Sequence, residues 1–545
     1  MTLPLAGPRW CLAPEEIAAV DRAAIDAGLS GLALMESAGR GVAEAVLERW
    51  PDTGRAVVLV GGGNNGGDGL VVARYLDLAG WEVELVLFVD PGSLSGDAAV
   101  QWRLVEPLGL PTRRVEEKAE AAGAIAAAAG ATCVVDALLG TGLKGEVREP
   151  MRSAIEALGG IEVPVVAIDA PSGLDGATGV VLGVAPFAEL TVTFGFPKPG
   201  LFLAEGPERV GRLRVVPLGY PAAALEAAGE RPLGWVGIEE AAAALPPRRH
   251  DVHKGSAGRL LIVAGSGRFP GAAALAAQAA LRSGTGLCVV ATPEPAAAAV
   301  LEVAPEAIVR ALPATEKGAF AEKAAGPIGG LAAEADAVAV GPGLTTGGGV
   351  RRAVNAALAA DAPAVVDADG LNVLADDPGP IGRESATILT PHPGELARWL
   401  DRDPGEIDAD RVAAAREAAS RWAAVVVLKG SPTVVADPGG DAALNLAGNP
   451  GLATGGSGDV LTGLLASLLA QGVEPRLAAR AAVLLHGVAA DWARADRGER
   501  GLVPSDLFSY LPLTIREVSA GRGPALLARI DHRHAGLLAV GGTGR

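Results

Sequence analysis

Short apolar runs alternate with longer alanine-rich stretches along most of the chain. In its first part, the runs cover residues 55–60, 81–89, 133–139, 163–170 and 190–196. Each run has the length of a buried strand, and the stretches between the runs are long enough for a helix. Strands that alternate with helices form right-handed crossovers and a mostly parallel sheet covered on both faces. We therefore predict an open, three-layer α/β domain, preceded by helices at 14–28 and 31–49.

The same alternation starts again in the second half of the chain. Here the apolar runs cover residues 259–265, 286–293, 336–343, 363–370, 386–392 and 424–430. Residues 219–255 lose this rhythm, and we place the domain boundary near residue 230. No repeat links the halves, so we predict two different mostly parallel α/β domains, 1–229 and 230–520. Residues 521–545 fit neither pattern and are predicted to be a loosely ordered tail.

The composition is that of packed domains, and the net charge indicates which kinds of partner the chain binds. The chain has 545 residues, of which 50% are hydrophobic and 20% charged, and it is too long for one ordinary core. Its formal net charge of −17 argues against nucleic acid and anionic membranes, because both demand clustered Lys and Arg. We therefore expect small-molecule partners, with no nucleic acid and no membrane.

The cysteines and the N-terminus indicate a cytoplasmic location. Cys11, Cys133 and Cys288 are too scattered for a disulfide framework, and their spacing matches no zinc site. The N-terminus has no basic segment followed by a continuous apolar stretch, so we expect no signal peptide. Apolar runs such as 461–472 are shorter than the roughly 18 residues that a membrane-spanning helix needs.

Three loops of the first domain carry polar groups where strands are predicted to end. They are GGGNNGGDG (61–69), DALLGTGLKGE (136–146) and DAPSGLDG (169–176). The first loop contains G-x-G-x-x-G, which alone would suggest a dinucleotide site, but Asp68 would lie close to the pyrophosphate. An alternative is that the glycines only permit a tight turn and that Asp68 caps the helix.

Because ligands bind at the carboxyl ends of strands in such sheets, we expect the three loops to share one crevice. Oxygen atoms of Asn65, Asp136 and Ser172 could bind a hard monovalent or divalent cation. Asp169 would then remain available as an acid or a base.

The second domain has a glycine-rich turn that ends in a single carboxylate. In GNPGLATGGSGD (448–459), the N–H groups of Gly455 to Gly458 would face an anion at a helix N-terminus. An acid is unfavourable beside phosphate, so Asp459 needs a chemical reason to be there. General-base catalysis at the hydroxyl that attacks phosphorus supplies one.

Five further loops of this domain follow predicted strands, at 265–272, 341–344, 367–372, 390–395 and 429–434. Lys429 suits nucleotide phosphates as a point charge. Asp367 and Asp369 are either a solvated loop pair or face a substrate or metal. A histidine such as His392 is more often a structural hydrogen-bond partner than a ligand contact.

The three loops of the first domain closely resemble those of the NAD(P)H-hydrate epimerase domain, in order and spacing over residues 14–220. The resemblance implies a Rossmann-like fold that inverts the hydroxyl-bearing carbon of hydrated NADH or NADPH. It implies Asp169 as the proton-handling residue, Lys144 as a possible electrophilic partner, and potassium bound by Asn65, Asp136 and Ser172. Gly62 replaces the proline usual in the family, so we expect a looser turn. The implied substrate contacts are Asn64, Asn65, Gly66, Gly67, Asp68, Gly140, Thr141, Gly142, Leu143, Lys144, Gly145, Glu146 and Asp169.

The second domain resembles a ribokinase-fold enzyme, and more closely the ADP-dependent NAD(P)H-hydrate dehydratases. The matching motifs, across residues 250–510, are HKGSAGRLLIVAGS, ALRSGTGL, DADGLN, LTPHPGE and GSGDVLTG. The resemblance implies that a phosphoryl group from ADP, or from ATP in some members, converts the ring hydroxyl into a leaving group. Asp459 would be the base, and magnesium would arrive with the nucleotide.

The same resemblance implies two sets of contacts. The hydrate would contact Gly343, His392 and Asp459. The nucleotide would contact Lys429, Gly430, Ser431, Pro432, Thr433, Asn449, Thr454, Gly455, Gly456, Ser457 and Gly458.

The two resemblances together imply a bifunctional metabolite-repair enzyme. It would interconvert the R and S forms of hydrated NADH or NADPH and dehydrate the S form, giving AMP and phosphate. The alternative is a ribokinase-fold small-molecule kinase with a non-catalytic N-terminal ligand-binding domain. The sequence leaves open ADP against ATP and NADH-hydrate against NADPH-hydrate, and a homo-oligomer is expected because related domains tend to assemble.

Overall fold

The computed structural model describes residues 9–229, 233–245, 247–248, 250–530 and 532–538. The chain divides into two compact units, over Trp10–Leu233 and Gly234–Arg545. The sequence places a boundary near residue 230, and residues 230–232 lie outside the described part of the chain. Each unit has its own mostly parallel sheet, so the predicted α/β fold class is confirmed.

The first unit is a seven-stranded parallel sheet with the order β4-β3-β2-β5-β6-β7-β8. The strands of this sheet are β2 (Arg55–Val60), β3 (Glu82–Leu87), β4 (Thr112–Arg114), β5 (Cys133–Ala137), β6 (Val165–Ile168), β7 (Leu190–Phe194) and β8 (Arg212–Val216). The two-residue strand β1 (Trp10–Cys11) is not part of this sheet. The helices are α1 (Pro14–Asp26), α2 (Gly31–Arg49), α3 (Asn64–Leu78), α4 (Gly96–Val105), α5 (Lys118–Ala126), α6 (Met151–Leu158) and α7 (Gly206–Arg209).

Side-chain alternation along β2 explains why both faces of this sheet are covered. Val58 and Val60 belong to a hydrophobic cluster that includes residues of α2 and α3. Val57 and Leu59 belong to a second cluster, with residues of α5 and α6. Because successive side chains point to opposite faces, an all-apolar strand needs a helical layer on each side. The carboxyl ends of the strands stay uncovered by this packing.

The second unit has ten strands in the order β9-β18-β17-β16-β15-β14-β13-β10-β11-β12. These strands are β9 (Leu233–Trp235), β10 (Arg259–Val263), β11 (Leu287–Pro293), β12 (Ile308–Leu312), β13 (Ala337–Val340), β14 (Ala364–Val366), β15 (Thr387–Leu389), β16 (Val425–Leu428), β17 (Thr433–Ala436) and β18 (Ala442–Asn445). β17 is antiparallel to both β16 and β18, and the other pairs are parallel.

The helices of this unit include a long apolar one, α17, that starts at the glycine-rich turn. They are α8 (Ile238–Ala243), α9 (Pro270–Arg282), α10 (Ala297–Val303), α11 (Ala325–Ala332), α12 (Gly348–Leu358), α13 (Asp369–Leu374), α14 (Pro393–Leu400), α15 (Pro404–Ala409), α16 (Arg411–Trp422), α17 (Ser457–Ala470), α18 (Pro475–Arg497), α19 (Leu507–Ser519), α20 (Gly523–Arg529) and α21 (Ala535–Leu538). None of the described helices is both long and apolar enough to span a membrane.

Close packing fixes α17, and with it the first turn that carries Asp459. A side chain at Gly463 would overlap the carbonyl oxygen of Ala276 on α9, so only glycine permits this approach. Deeper along the helix, Thr285 Oγ1 donates a hydrogen bond to Ser467 Oγ over 2.6 Å. The helix therefore holds its N-terminus at a defined position.

The C-terminal residues depart from the predicted loose tail. Helices α20 and α21 occupy part of it, and Leu526, Leu527 and Leu537 are buried. Alternating apolar and polar positions were too few here to predict helices from the sequence. Residues 531 and 539–545 of the predicted tail lie outside the described part.

Candidate active sites

The glycine-rich loop of the first unit is a tight turn from β2 into α3. A side chain at Gly66 would overlap the carbonyl oxygen of Gly61, so the loop requires glycine there. Gly63 is the N-cap of α3, and Asp68 lies inside the helix with only 8% of its surface exposed. The alternative in which Asp68 caps the helix is therefore wrong.

The three predicted loops meet at one cavity of about 1050 Å³ within this unit. The expected residues that line it are Asn64, Asn65, Asp68, Gly140, Thr141, Gly142, Leu143, Lys144, Glu146 and Asp169. Gly67 instead faces Met35 of α2, and Gly145 has a positive φ of 78° that suits the turn. Asp21, Lys198 and Tyr220 also line the cavity, and the sequence did not single them out.

Lys198 is the cation in contact with Asp169. Its ammonium group donates hydrogen bonds to Asp169 Oδ1 and, over 2.9 Å, to Thr193 Oγ1. The lysine side chain is 2% exposed, whereas Lys144 is exposed on its loop. Lys198 follows β7, so its place after a strand end was the signal that could have revealed it. The lysine in contact with Asp169 is therefore Lys198 and not Lys144.

Asp68 and Asp21 add two further acids to the cavity. Burial and the nearby Asp169 carboxylate raise the pKa of Asp68 well above its ordinary value, although Lys198 opposes this shift. Burial also raises the pKa of Asp21, which accepts a 2.6 Å hydrogen bond from the Tyr220 hydroxyl. The cavity thus contains one carboxyl group whose pKa is raised, Asp68, and one carboxylate that is ion-paired, Asp169, a combination suited to acid and base roles.

Asn65, Asp136 and Ser172 lie close together around the backbone of Leu139. Asp136 is fully buried and accepts hydrogen bonds from the Ser172 amide (2.8 Å) and the Ser172 hydroxyl (2.6 Å). Asn65 Nδ2 donates to the Leu139 carbonyl oxygen over 3.0 Å, and Ser172 Oγ lies 3.2 Å from the same oxygen. Burial raises the pKa of Asp136.

This oxygen-rich group fits a cation of low charge. Among the described residues, no Lys, Arg or His forms an ion pair with Asp136. A buried carboxylate without a counter-charge is costly, and a bound cation would remove that cost. With one carboxylate and otherwise neutral oxygens, the group suits a monovalent ion better than a divalent one.

In the second unit, Asp459 lies in the first turn of α17. Burial raises its pKa to about 7, and the nearby carboxylates of Asp367 and Asp369 raise it too, while Lys429 lowers it. A carboxyl group with a pKa close to neutral pH is well matched to general-base catalysis. Gly456, which precedes the helix, has a φ of 102° that a residue with a side chain rarely adopts.

Lys429 is held among carboxylates next to Asp459. Its Nζ lies 2.6 Å from Asp367 Oδ1 and 3.8 Å from Glu395 Oε2. Asp367 is 1% exposed and also accepts a 2.8 Å hydrogen bond from Thr462 Oγ1, so it is not a solvated loop residue. A Cβ atom added to Gly458 would lie 3.6 Å from Lys429 Nζ, which puts the ammonium group at the glycine-rich turn.

The loop that carries Lys429 is supported from beneath by Arg411, which the sequence did not reveal. Arg411 is 7% exposed, and its Nη2 donates to the Lys429 carbonyl oxygen over 2.7 Å, while Nε donates to the Pro432 carbonyl oxygen over 3.3 Å. A side chain at Gly430, which has a φ of 147°, would overlap this guanidinium group. Thr433 Oγ1 closes the loop by donating to the Gly430 carbonyl oxygen over 3.0 Å. Ser431 lies exposed at its tip.

The 449–458 turn is partly engaged in its own hydrogen bonds. Asn449 accepts from the Gly451 amide over 3.1 Å, and Thr454 Oγ1 donates to the Gly451 carbonyl oxygen over 3.0 Å. The Ser457 amide donates to the Thr454 carbonyl oxygen over 3.2 Å. A side chain at Gly455 would meet nothing within 4 Å, so this is the open part of the turn.

His392, Gly343 and Asp369 have structural roles that the motifs did not specify. His392 Nδ1 accepts from the Gly394 amide over 3.0 Å and caps α14, yet its side chain is 57% exposed. Gly343 has a φ of 63° and faces Phe269 and Ala272 at the N-terminus of α9. Asp369 Oδ2 accepts from the Thr345 amide over 2.8 Å. Within the described part of the chain, no group of three or more His, Cys, Asp or Glu could hold a metal ion.

Two family models match this chain. Residues 31–200 match the family described as YjeF-related protein N-terminus, and residues 260–513 match the family described as NAD(P)H-hydrate dehydratase. The two matches fall in the first and second units respectively.

Curated relatives match nearly the whole chain. A bifunctional NAD(P)H-hydrate repair enzyme of Moorella thermoacetica is 38% identical over 519 residues, covering 93% of this chain and 97% of the relative. A protein of the same description from Salinibacter ruber is 42% identical, covering 92% of this chain and 95% of the relative. Among solved structures, an ADP/ATP-dependent NAD(P)H-hydrate dehydratase of Bacillus subtilis is 35% identical and covers 52% of this chain and 99% of its own, with a TM-score of 0.46.

Proposed function

The chain belongs to the family of bifunctional NAD(P)H-hydrate repair enzymes, and from this premise we propose how its two units divide the chemistry. It is an enzyme of metabolite repair with an epimerase unit and a dehydratase unit. The kinase alternative is not supported, because relatives of the repair family align with both units over more than 90% of the chain.

The cavity of the first unit is the proposed epimerase site. In the hydrated ring the hydroxyl group is on a carbon next to the ring nitrogen, whose lone pair can expel it. A proton from Asp68 would let the hydroxyl depart as water and leave a planar ring cation. Water would add to the other face and lose its proton to Asp169, while Lys198 holds that carboxylate in place. The predicted contacts from 64–68 and 140–146 would orient the rest of the substrate.

We propose potassium as the cation held by Asn65, Asp136 and Ser172. The buried and otherwise unpaired Asp136 carboxylate supports this assignment. When bound, the ion would supply a fixed positive charge behind the loops. Asn65 and Ser172 form hydrogen bonds with the backbone of Leu139 and so connect the 136–139 segment to the two other loops. An ion bound by these residues would therefore help to hold the loops that line the cavity.

The turn that leads into α17 is the proposed phosphoryl-transfer site. Asp459 would take the proton of the ring hydroxyl, whose oxygen then attacks the terminal phosphorus of ADP as AMP departs. The new phosphate ester is a good leaving group. The ring nitrogen would expel phosphate, and loss of a proton from the neighbouring carbon would restore the double bond of NADH or NADPH.

Magnesium would arrive with the nucleotide, as it does for most phosphoryl donors. The open segment at Gly455 would admit the phosphates, with Lys429 beside Gly458 and the 430–433 loop along the nucleotide. Gly343 and His392 remain the predicted contacts of the hydrate. The choice of ADP, the hydrate preference, the cytoplasmic location and a homo-oligomeric state also stay predictions.

The raised pKa of Asp459 at the glycine-rich turn is the observation that best supports this assignment. The decisive experiment incubates the purified protein with a mixture of both hydrate epimers and ADP and follows the return of reduced-nicotinamide absorbance. Complete recovery is expected. Recovery of one epimer's share would remove the epimerase activity, and release of a stable phosphorylated product would indicate a kinase.

A further inference from the structure

A buried histidine near the C-terminus contacts an aspartate of α18. His532 Nε2 lies 3.0 Å from Asp491 Oδ2, and the two side chains are 4% and 3% exposed. His532 lies beyond residue 513, where the match to the dehydratase family ends. The contact therefore comes from a part of the chain that the family description does not cover.

The backbone fixes which nitrogen of His532 carries the proton. The His534 amide donates to His532 Nδ1 over 3.1 Å, so Nδ1 is an acceptor. In a neutral imidazole the proton then lies on Nε2, which donates to Asp491. His532 is thus oriented as a hydrogen-bond donor to the carboxylate.

Asp491 also accepts hydrogen bonds from the predicted nucleotide-binding loop. Its Oδ2 accepts from the Gly448 amide over 2.7 Å, and its Oδ1 accepts from Asn449 Nδ2 over 2.9 Å. Asn449 Oδ1 in turn accepts from the Gly451 amide. A continuous series of hydrogen bonds therefore joins His532 to the start of the loop that ends at Asp459.

The segment that carries His532 is itself anchored. The His532 amide donates to the Leu527 carbonyl oxygen over 3.0 Å, and Trp235 Nε1 donates to the Leu537 carbonyl oxygen over 3.1 Å. Leu537 and Leu538 are buried. These contacts hold the imidazole against Asp491 from a fixed backbone.

We propose that His532 is a positioning residue for nucleotide binding, acting through Asp491 on Gly448 and Asn449. The proposal rests on the assignment of ADP to this loop. Without the imidazole, the buried Asp491 carboxylate loses a donor and must rotate or admit water, which frees Gly448 and Asn449 to move. Nucleotide affinity falls, whereas the chemical step after binding does not, because Asp459 is held by α17.

The test compares His532→Ala with His532→Gln, measuring ADP binding by calorimetry together with dehydration kinetics. In the alanine variant we expect Kd and KM for ADP to rise about tenfold. This is the change expected when one hydrogen bond to a charged group is lost. The kcat and the KM for the hydrate should stay unchanged. Glutamine, whose amide nitrogen reaches as far as Nε2, should restore most of the affinity.

Controls separate positioning from general destabilisation. Arg522→Ala lies in the same terminal segment but pairs with Glu517, and it should leave ADP binding unchanged. Combining His532→Ala with Asp491→Ala should weaken binding no more than Asp491→Ala alone, since the histidine acts through that carboxylate. Additive effects would overturn the proposal.

Two further outcomes are decisive. If the alanine variant does not fold, His532→Asn takes its place, because its shorter amide cannot reach Asp491, and equal ADP binding by the asparagine and glutamine variants would refute the role. Failure of the wild-type protein to bind ADP would instead overturn the proposed function itself.

Discussion

Lys429 Nζ lies 2.6 Å from Asp367 Oδ1, and the same ammonium group opposes the rise in the pKa of Asp459. Asp367, buried beneath the glycine-rich turn, acts in the other direction and raises that pKa. Burial, the carboxylates of Asp367 and Asp369 and the opposing charge of Lys429 together bring the pKa of Asp459 to about 7. Lys429 therefore tunes the proposed base in addition to its predicted contact with the nucleotide.

The pH dependence of the dehydration rate should follow the ionisation of Asp459. Asp459 accepts a proton only when ionised, so kcat/KM for the hydrate should rise with pH through about 7. Lys429→Met removes the cause that lowers the pKa, and the midpoint should move to higher pH. Lys317→Met, at an exposed lysine, is the matched control and should leave the profile unchanged. A profile that is flat across neutral pH would argue against Asp459 as the base.

The acids of both candidate sites could be predicted from the sequence, because each belongs to a recognisable segment. Asp169 follows a predicted strand, and Asp459 ends a glycine-rich turn that leads into a helix. Lys198 also follows a strand, but a single lysine between two prolines carries no motif of its own. Arg411 reaches its loop from an alanine-rich helix, and only the folded chain shows this contact.

In the sheet of the second unit, too, the sequence predicts only part of the structure. Alternating strands and helices predict parallel pairing, and the seven neighbouring strands β16-β15-β14-β13-β10-β11-β12 pair in this way. The antiparallel strands β17 and β18 are only four residues long each, without a helix between them. They pair with their immediate neighbours along the chain, β16 with β17 and β17 with β18, as successive hairpins. A pattern of strands that alternate with helices does not predict such pairing.

The two activities should separate by mutation. Asp459→Ala should lower dehydration by at least about 10²-fold, the usual contribution of a general base, and spare epimerisation. Asp169→Ala should have the reverse effect, so that only one epimer is consumed. Each activity is measured with a pure hydrate epimer. Loss of both activities in either variant would contradict independent sites.

Lys198 should matter more than Lys144 for epimerisation. Lys198→Met leaves Asp169 without its ammonium partner and should lower the epimerisation rate by about 10²-fold. Lys144→Met, at the exposed position on the 140–146 loop, should have a much smaller effect. Lys198→Arg keeps the charge and should recover part of the rate. The opposite ranking of the two methionine variants would restore Lys144 as the partner of Asp169.

Potassium should stabilise the first unit through Asp136. A ligand that binds only the folded state stabilises it and raises the melting temperature, by an amount that grows with the ligand concentration relative to its Kd. The wild-type protein should melt at a higher temperature in potassium chloride than in choline chloride at equal ionic strength. Asp136→Asn should abolish this difference, and Asp52→Asn, at an exposed loop aspartate, should retain it. An equal response of all three proteins would exclude this site.

Asp68→Asn should stabilise the first unit while impairing epimerisation. The pKa of Asp68 is higher in the folded protein than in the unfolded chain, where the pKa of an aspartate is about 3.9. Wild-type stability is therefore lost as the pH rises from that value toward the raised folded pKa, whereas a neutral asparagine avoids this loss. The gap in melting temperature between variant and wild type should widen with pH, measured by calorimetry.

Asparagine cannot deliver a proton to the departing hydroxyl, so the same variant should epimerise about 10²-fold more slowly. Gain of stability with loss of activity is the usual result when a strained functional group is replaced. Asp26→Asn, at an exposed aspartate of α1, supplies the control and should show no widening gap. A constant gap across pH would mean that Asp68 ionises freely in the fold. In that case the proton that lets the hydroxyl depart would have to come from another group that lines the cavity, such as Lys198 or Asp21.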